Sequence, residues 1–432
     1  MKSCVNVGLI GLGRRGFSLL EYCLTKMRDV CVTAVCDTDA EALDRARAFY
    51  LKTGAQTPLF VSDYRQILKE PAVDCVVIAT SWNMHSQIAV DSMRAGKYTA
   101  VEVGCAYDLS ECWELLAAYK ATGAPLMMLE NCCYGRFELM ALRMAKEGKF
   151  GEIVHCSGGY MHYLPRNELF ANGEGRLDTK HYRLLEYAHR NCEQYPTHEF
   201  GPIAKILGIN RGNRIMTLAS FASKSRGIAD YMDSHPELDE HPLRHYAFRQ
   251  GDIVNTILTC ENGETVLLEL DTTIPRPFYS RGCTIRGTKG FAMEHSGLFN
   301  RNANDRVGWV YLEGMKEGKA PSLSEYMAAH DHPIYEECEA NSLEDSHSGI
   351  DWLVLRAFIE AVKAGTQTPI DVYDTLTMMA IAPLSAASIA RGGAPVDFPD
   401  FTQGRYLRRE PPLATKYSLD LIVKDPDTPI VP

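Results

Sequence analysis

The chain is short of positive charge. Its 45 Lys and Arg face 55 Asp and Glu, a formal net charge of −10, which argues against nucleic acid or an anionic membrane as the main partner. No apolar run approaches the length of a membrane span. The 14 cysteines include no Cys-x-x-Cys pair and no paired metal spacing, and the adjacent Cys132 and Cys133 cannot easily bridge. They read as reduced thiols acting as small core hydrophobes in a cytoplasmic protein with no metal site. Met1 to Cys4 lead straight into an apolar strand and leave no room for a signal peptide. There is no internal repeat and no low-complexity segment. At 432 residues the chain should form two domains or more, each able to bury a full core.

What is present begins at the N-terminus. Val5–Ile10 reads as a buried strand, Gly11-Leu12-Gly13-Arg14-Arg15-Gly16 as a G-x-G-x-x-G loop, and Phe17–Lys26 as a helix. Glycines there allow a tight turn, close approach of the backbone to a pyrophosphate, and helix-on-strand contact. A second apolar run, Val32–Cys36, ends in Asp37, at the spacing of the carboxylate that holds an adenosine ribose. Asp37 favours NAD, since a carboxylate repels a 2′-phosphate, while Arg14 and Arg15 leave NADP open.

Strands and helices then alternate. Helix 39–50, strand Leu59–Val61, helix Tyr64–Lys69, strand Asp74–Thr80, helix Gln87–Ala95, strand Thr99–Val103, helix 110–121 and strand Pro125–Leu129 imply a doubly wound parallel sheet, a Rossmann domain over 1–134. Ligands of such sheets bind at the C-terminal strand ends, which places the Ser81–His85, Glu102–Gly104 and Glu130–Asn131 turns around the cofactor. From about residue 135 the pattern changes. After a helix at 137–147, the strands Ile153–Met161, Ile253–Cys260, Thr265–Leu270 and Thr284–Gly290 predict an α+β domain over 135–432 with a mostly antiparallel open sheet, through which a homo-oligomer is expected. Segments 165–195 and 225–247 read as ordered loops over a site, 349–363 and 372–390 as helices, and the tail after Gly392 as a surface wrap.

The strand-loop-helix start, the Glu-x-Gly turn after the fifth strand and Gly148–Ile153 resemble the glucose–fructose oxidoreductase/inositol dehydrogenase/MocA family over nearly the whole chain. Leu129–Gly135, Arg190–His198, Gly208–Gly212 and Pro275–Arg281 narrow the resemblance to glycoside hydrolase family 109, the NAD-dependent α-N-acetylgalactosaminidases; Tyr195-Pro196-Thr197-His198 followed by Ile209-Asn210-Arg211-Gly212 is the most specific part. Two positions depart from the parent pattern. Val103 stands where the parent family has its catalytic lysine, as the hydrolase branch leads one to expect, and Gly104 stands where that branch has Pro, a change expected to affect only the turn.

The resemblance implies glycoside cleavage without the usual carboxylate pair. NAD takes hydride from C3 of the sugar, the ketone acidifies the C2 proton, a base removes it, the C1 substituent leaves, water adds, and the hydride returns. It places NAD contacts at Gly11, Gly13, Arg15, Gly16, Asp37, Trp82, Asn83, Met84, His85, Glu102, Val103 and Asn131. It places contacts to the small carbohydrate at Tyr160, Arg183, Tyr195, Pro196, Thr197, His198 and Tyr279, with His198 and Tyr279 as the proton-transfer pair in either order. An imidazole with an ordinary pKa near ~6.5 suits that work. Of the neighbouring aromatics, only Tyr279 carries a hydroxyl, so a packing role suits Phe278. His162 shares a strand face with Tyr160, and His85 caps the following helix if it does not meet cofactor. The alternatives are a sugar 3-dehydrogenase releasing NADH, against which Val103 weighs, and a dinucleotide-binding protein without turnover, against which the Tyr-Pro-Thr-His motif weighs.

Overall fold

The computed structural model describes residues 3–170, 181–295, 307–316, 322–330, 332, 334–335, 349–409, 417–420, 422–425 and 428–430. Part of the expected 165–195 loop therefore lies outside the described residues. The chain divides into two compact units, one of residues 1–139, 332–379 and 408–432, the other of 140–331 and 380–407.

In the first unit six parallel strands, β1 Val5–Ile10, β2 Val30–Cys36, β3 Leu59–Val61, β4 Cys75–Ile78, β5 Tyr98–Val101 and β6 Leu126–Met128, lie in the order β3-β2-β1-β4-β5-β6. The order reverses between β1 and β4, the switch point at which such sheets bind ligands. β1 and β4 are buried almost end to end, as strands covered on both faces must be. Asp39 and Asp108 cap the helices Ala40–Thr53 and Leu109–Thr122, and each helix ends on a left-handed glycine, Gly54 and Gly123.

Two local expectations change here. The first helix is α-helical only over Arg14–Ser18, then widens to a π turn (Leu19–Cys23) and tightens to a 3-10 turn (Leu24–Lys26). The Thr25 hydroxyl donates to the Leu20 and Glu21 carbonyls at 2.9 and 3.2 Å, competing for the acceptors a regular turn would use. The expected Ser81–His85 turn is instead the start of the helix Trp82–Arg94, because Trp82, His85 and Ser86 continue the buried face of Ile88, Ala89 and Met93.

Residues 332–379 join the first unit, so compactness does not follow the chain-order division at 134/135. The physical cause is the helix Ile350–Ala364, whose apolar face is buried. Arg356 forks onto the Asp29 carboxylate at 2.6 and 2.8 Å, with Lys363 on the same carboxylate at 2.7 Å.

In the second unit eight strands form one sheet: β7 Ile153–Met161, β8 Ile215–Ala222, β9 Ile253–Cys260, β10 Thr265–Asp271, β11 Thr284–Gly287, β12 Gly290–Glu294, β13 Gly308–Leu312 and β14 Val396–Asp397. Their order is β13-β12-β11-β7-β10-β9-β8-β14, and only the β7–β10 pair is parallel. The segment after Gly392 is no surface wrap where it is described: β14 pairs with β8 and forms that edge of the sheet, and Phe398, Phe401 and Tyr406 are buried because they are apolar. The 225–247 segment carries the helix Gly227–Asp233 and a turn at Pro236–Leu238.

One apolar stretch does reach membrane length, against expectation. The 19-residue helix Val372–Ala390 is long and apolar enough to span, but 78% of its 18-residue apolar stretch is buried inside the protein, as a core helix is.

Candidate functional site

The three loop glycines in the first unit answer to different constraints. Gly11 has φ +97°, and a Cβ there would lie 2.5 Å from the Ala79 carbonyl oxygen. A Cβ on Gly16 would lie 2.0 Å from the Gly11 oxygen. Gly13 has an ordinary φ of −57°, and a Cβ there would meet nothing within 4 Å. Neither backbone strain nor packing requires glycine at 13; glycine suits its place as the helix N-cap, and its missing side chain leaves room for a group outside the chain. A dinucleotide pyrophosphate fits that room. Beside it, Asp37 accepts from the Leu12 N–H at 2.6 Å and the Asp39 N–H at 2.9 Å, which fixes the carboxylate at the end of β2.

The strand ends beyond the switch point supply the rest of the cradle. Trp82 and His85 are buried, whereas Asn83 and Met84 are exposed. His85 Nε2 donates to the Thr80 carbonyl at 2.9 Å, and burial lowers the imidazole to a pKa of about 4, so it is neutral at physiological pH. A Cβ on Gly104 would lie 2.8 Å from Trp82 Cδ1 and 3.1 Å from His85 Nδ1. The glycine thus shapes the packing of both rings, which corrects the expectation that it alters only the turn. Val103 is buried, and its N–H donates to Glu102 Oε2 at 3.2 Å. Arg15 donates through Nε to Glu102 at 3.0 Å and forks onto Asp351. Asn131 donates to the same Asp351 at 2.7 Å.

The second unit gathers a cluster of rings. Tyr160 and His162 project from one face at the end of β7, and the Tyr160 hydroxyl lies 3.3 Å from His162 Nδ1. Met161 and Ser280 exchange backbone hydrogen bonds at 3.2 and 3.0 Å, which sets Tyr279 beside them. Ring centroids of Tyr160 lie 4.3 Å from Tyr195, 5.7 Å from His198 and 5.8 Å from Tyr279, and those of His162 and Tyr279 are 5.2 Å apart. Phe278 is 56% exposed, so it has no packing role, and Tyr279 is the ring turned inward.

Pro196 stands at the N-cap of the helix Thr197–Ile206, with Thr197 buried and His198 half-buried in its first turn. Pro202 has no N–H for the His198 carbonyl four residues back, and Arg281 reaches that carbonyl in a long 3.5 Å contact. Arg183 is no freely exposed arginine: its guanidinium lies 5.0 Å from the Tyr195 ring centroid and donates to Glu168 at 3.0 Å. Burial raises the Tyr160 phenol well above its usual value, keeping it protonated. The structure therefore brings together Tyr160, Arg183, Tyr195, His198 and Tyr279, from three separate stretches of sequence.

Three residues escaped the sequence reading. Asp351 stands one turn before Leu355 on the buried face of its helix; an acid on an apolar stripe was the signal. Glu168 lies in a π turn at Pro165–Leu169, with no periodic pattern to mark it. Glu193 precedes Tyr195 by two positions and is 1% exposed, and burial raises its carboxyl to a pKa of about 8.

Comparison with known proteins bears on both units. Residues 5–130 match the oxidoreductase family with an NAD-binding Rossmann fold, and residues 134–408 match the C-terminal domain of glycosyl hydrolase 109. A glycosyl hydrolase family 109 protein of Stenotrophomonas maltophilia is 37% identical over 94% of this chain and 91% of its own length. An alpha-N-acetylgalactosaminidase of Tannerella forsythia is 37% identical over 89% of this chain and 83% of its own length. An NAD binding oxidoreductase of Klebsiella pneumoniae, 16% identical, shares the fold with a TM-score of 0.69 over 92% of this chain and 100% of that one. The chain belongs to glycosyl hydrolase family 109, with an NAD-binding Rossmann fold at its N-terminus.

Proposed function

We propose that the chain hydrolyses N-acetylgalactosaminides or closely related glycosides, with NAD recycled in each turnover. The observation that carries the reading is the ring cluster Tyr160–Tyr195–His198–Tyr279 flanked by Arg183, a set that offers flat faces for a sugar ring and polar groups for its hydroxyls. NAD, when bound, supplies reversible hydride transfer at C3 of the sugar, which acidifies the proton on C2. His198 and Tyr279 then share the proton-transfer work, one at the oxidised hydroxyl and the other at the C2 proton or the leaving group. Tyr160, held neutral by burial, donates or accepts hydrogen bonds without changing charge. A net sugar 3-dehydrogenase fits less well, because Val103 offers no titratable group after the fifth strand.

The test is hydrolysis of an N-acetylgalactosaminide in deuterium oxide with catalytic NAD. Deuterium should enter C2 of the product; a product fully protonated at C2 would replace this reading with ordinary displacement.

The outer face of the second unit's sheet exposes Phe221, Ile257, Trp309 and Tyr311, and a second copy of the chain is the proposed cover. Sedimentation of an Ile257→Glu variant checks it, by a shift toward monomer. A cytoplasmic setting is supported by the absence of any disulfide among the described cysteines, eleven of which are buried.

A further inference from the structure

Among the described residues of the cofactor cradle, two carboxylates share the Arg15 guanidinium. Arg15 Nε donates to Glu102 Oε1 at 3.0 Å, and Nη1 and Nη2 donate to Asp351 Oδ2 and Oδ1 at 2.5 and 2.7 Å. Asn131 Nδ2 donates to Asp351 Oδ1 at 2.7 Å. Asp351 is 1% exposed and Glu102 6%, so neither charge is quenched by water. The place of Asp351 does not depend on Arg15 alone, because its helix is anchored separately through Arg356 and Lys363 on Asp29. A planar fork on a carboxylate is charge-assisted and geometrically selective, so Asp351 dictates where the Arg15 guanidinium lies.

The sheet order says which end of the cofactor this cluster serves. Asp37 follows β2, the glycine loop follows β1, and Glu102 follows β5, in a sheet ordered β3-β2-β1-β4-β5-β6. A dinucleotide laid from the ribose carboxylate across the loop would carry its nicotinamide toward the β4 and β5 ends. The oxidised ring is a cation and the reduced ring is neutral. With both carboxylates ionised, the Arg15 guanidinium between them leaves one negative charge in excess, and that charge stabilises only the oxidised ring.

We propose that Asp351 is a positioning residue of the cofactor site, which locks Arg15 and Asn131 and, together with Glu102, biases the site toward NAD+ over NADH. A catalytic cycle that starts from oxidised cofactor and must return to it benefits from that bias. Burial pushes the Glu102 carboxyl above its usual range against the pull of Arg15, so a cationic ring nearby also favours its ionised form.

Calorimetric titration of the full-length protein, stripped of nucleotide, with NAD+ and separately with NADH tests this without turnover. Asp351→Asn should weaken NAD+ about tenfold more than NADH, a rise of about 30 mV in the potential of the bound two-electron couple. Asp351→Glu, which keeps the charge, should restore most of the ratio. Glu102→Gln should shift the ratio in the same direction while the Asp351–Asn131 bond survives. Equal weakening of both nucleotides in Asp351→Asn and Glu102→Gln would overturn the charge bias, and unchanged affinities in Asp351→Asn would overturn the positioning role. If thermal unfolding shows Asp351→Asn to be misfolded, the NAD+/NADH ratio in Glu102→Gln decides.

Discussion

The cradle of the first unit and the ring cluster of the second are built from different materials. The cradle rests on backbone groups and charge: Gly11 and Gly16, which a single methyl would jam, Asp37 held by two N–H groups, and Arg15 gripped by two carboxylates, the polar contacts all at 2.5–3.0 Å. The cluster rests on side-chain faces 4.3–5.8 Å apart, with long polar contacts such as the 3.3 Å Tyr160–His162 approach. Directional bonds preorganise a site for a fixed ligand, whereas ring faces tolerate changes of position, as a substrate that must enter and leave requires. Substitutions in the cradle should therefore act on binding and folding, and those in the cluster on turnover.

The sharpest break in that comparison comes from the proton-transfer pair. His198→Ala and Tyr279→Phe should each lower kcat on an aryl N-acetylgalactosaminide at least ~10²-fold while NAD affinity survives. Tyr279→Phe keeps the ring and removes only the hydroxyl, so a near-normal kcat would reduce Tyr279 to a wall of the cluster.

Within the cradle, the glycines can be separated. Gly16→Ala forces a Cβ to 2.0 Å from the Gly11 oxygen and should destabilise the fold by about 1–3 kcal/mol in thermal unfolding. Gly13→Ala meets open space and should leave the melting temperature unchanged yet weaken NAD. Loss of stability in both variants would remove the argument that Gly13 serves the ligand.

A pH test sharpens the cluster's side. Glu193 has an ordinary carboxyl pKa of 4.5 and a folded value of about 8. Between those values the folded chain holds a proton that the unfolded chain has released, so this group's contribution to stability is complete below 4.5 and is lost as pH rises through 8. The slope is at most ~1.4 kcal/mol per pH unit. Glu193→Gln should flatten it in urea unfolding between pH 5 and 9, and parallel curves would show that Glu193 does not titrate there.

The smallest expected effect is at the ribose carboxylate. Asp37→Ala should weaken NAD about tenfold while affecting NADP less, since it removes both a hydrogen-bond acceptor and a repulsive charge. Tighter binding of NADP than NAD by the unaltered protein, measured by calorimetry, would reverse the role of Asp37.

Legibility followed the same division of materials. Glycine spacing, Asp37 and the alternation of strand and helix are local signals, and β3, the Tyr64–Lys69 helix, β7 and β9 have the expected bounds. The start of the Trp82 helix was misread because its first turn looks polar in isolation, although Trp82 and His85 are buried. The strand Ile215–Ala222 and the helix Thr197–Ile206 were not read as elements; the second carries Gly201-Pro202, which conceals a helix from any propensity argument. Glu168 could not be found at all, since what gives it meaning is Arg183, fifteen residues on.

The sequence by itself determined the Rossmann order, the dinucleotide loop with its ribose acid, and the motif residues of the hydrolase branch, because backbone turns and strand periodicity are written over short spans of chain. Only the tertiary structure decided that Asp351 closes on Arg15 across 336 positions, that Gly104 makes room for Trp82 and His85, and that Phe278 is exposed rather than packed. Those outcomes depend on which side chains burial brings within bonding distance, and distance along the chain carries no record of that.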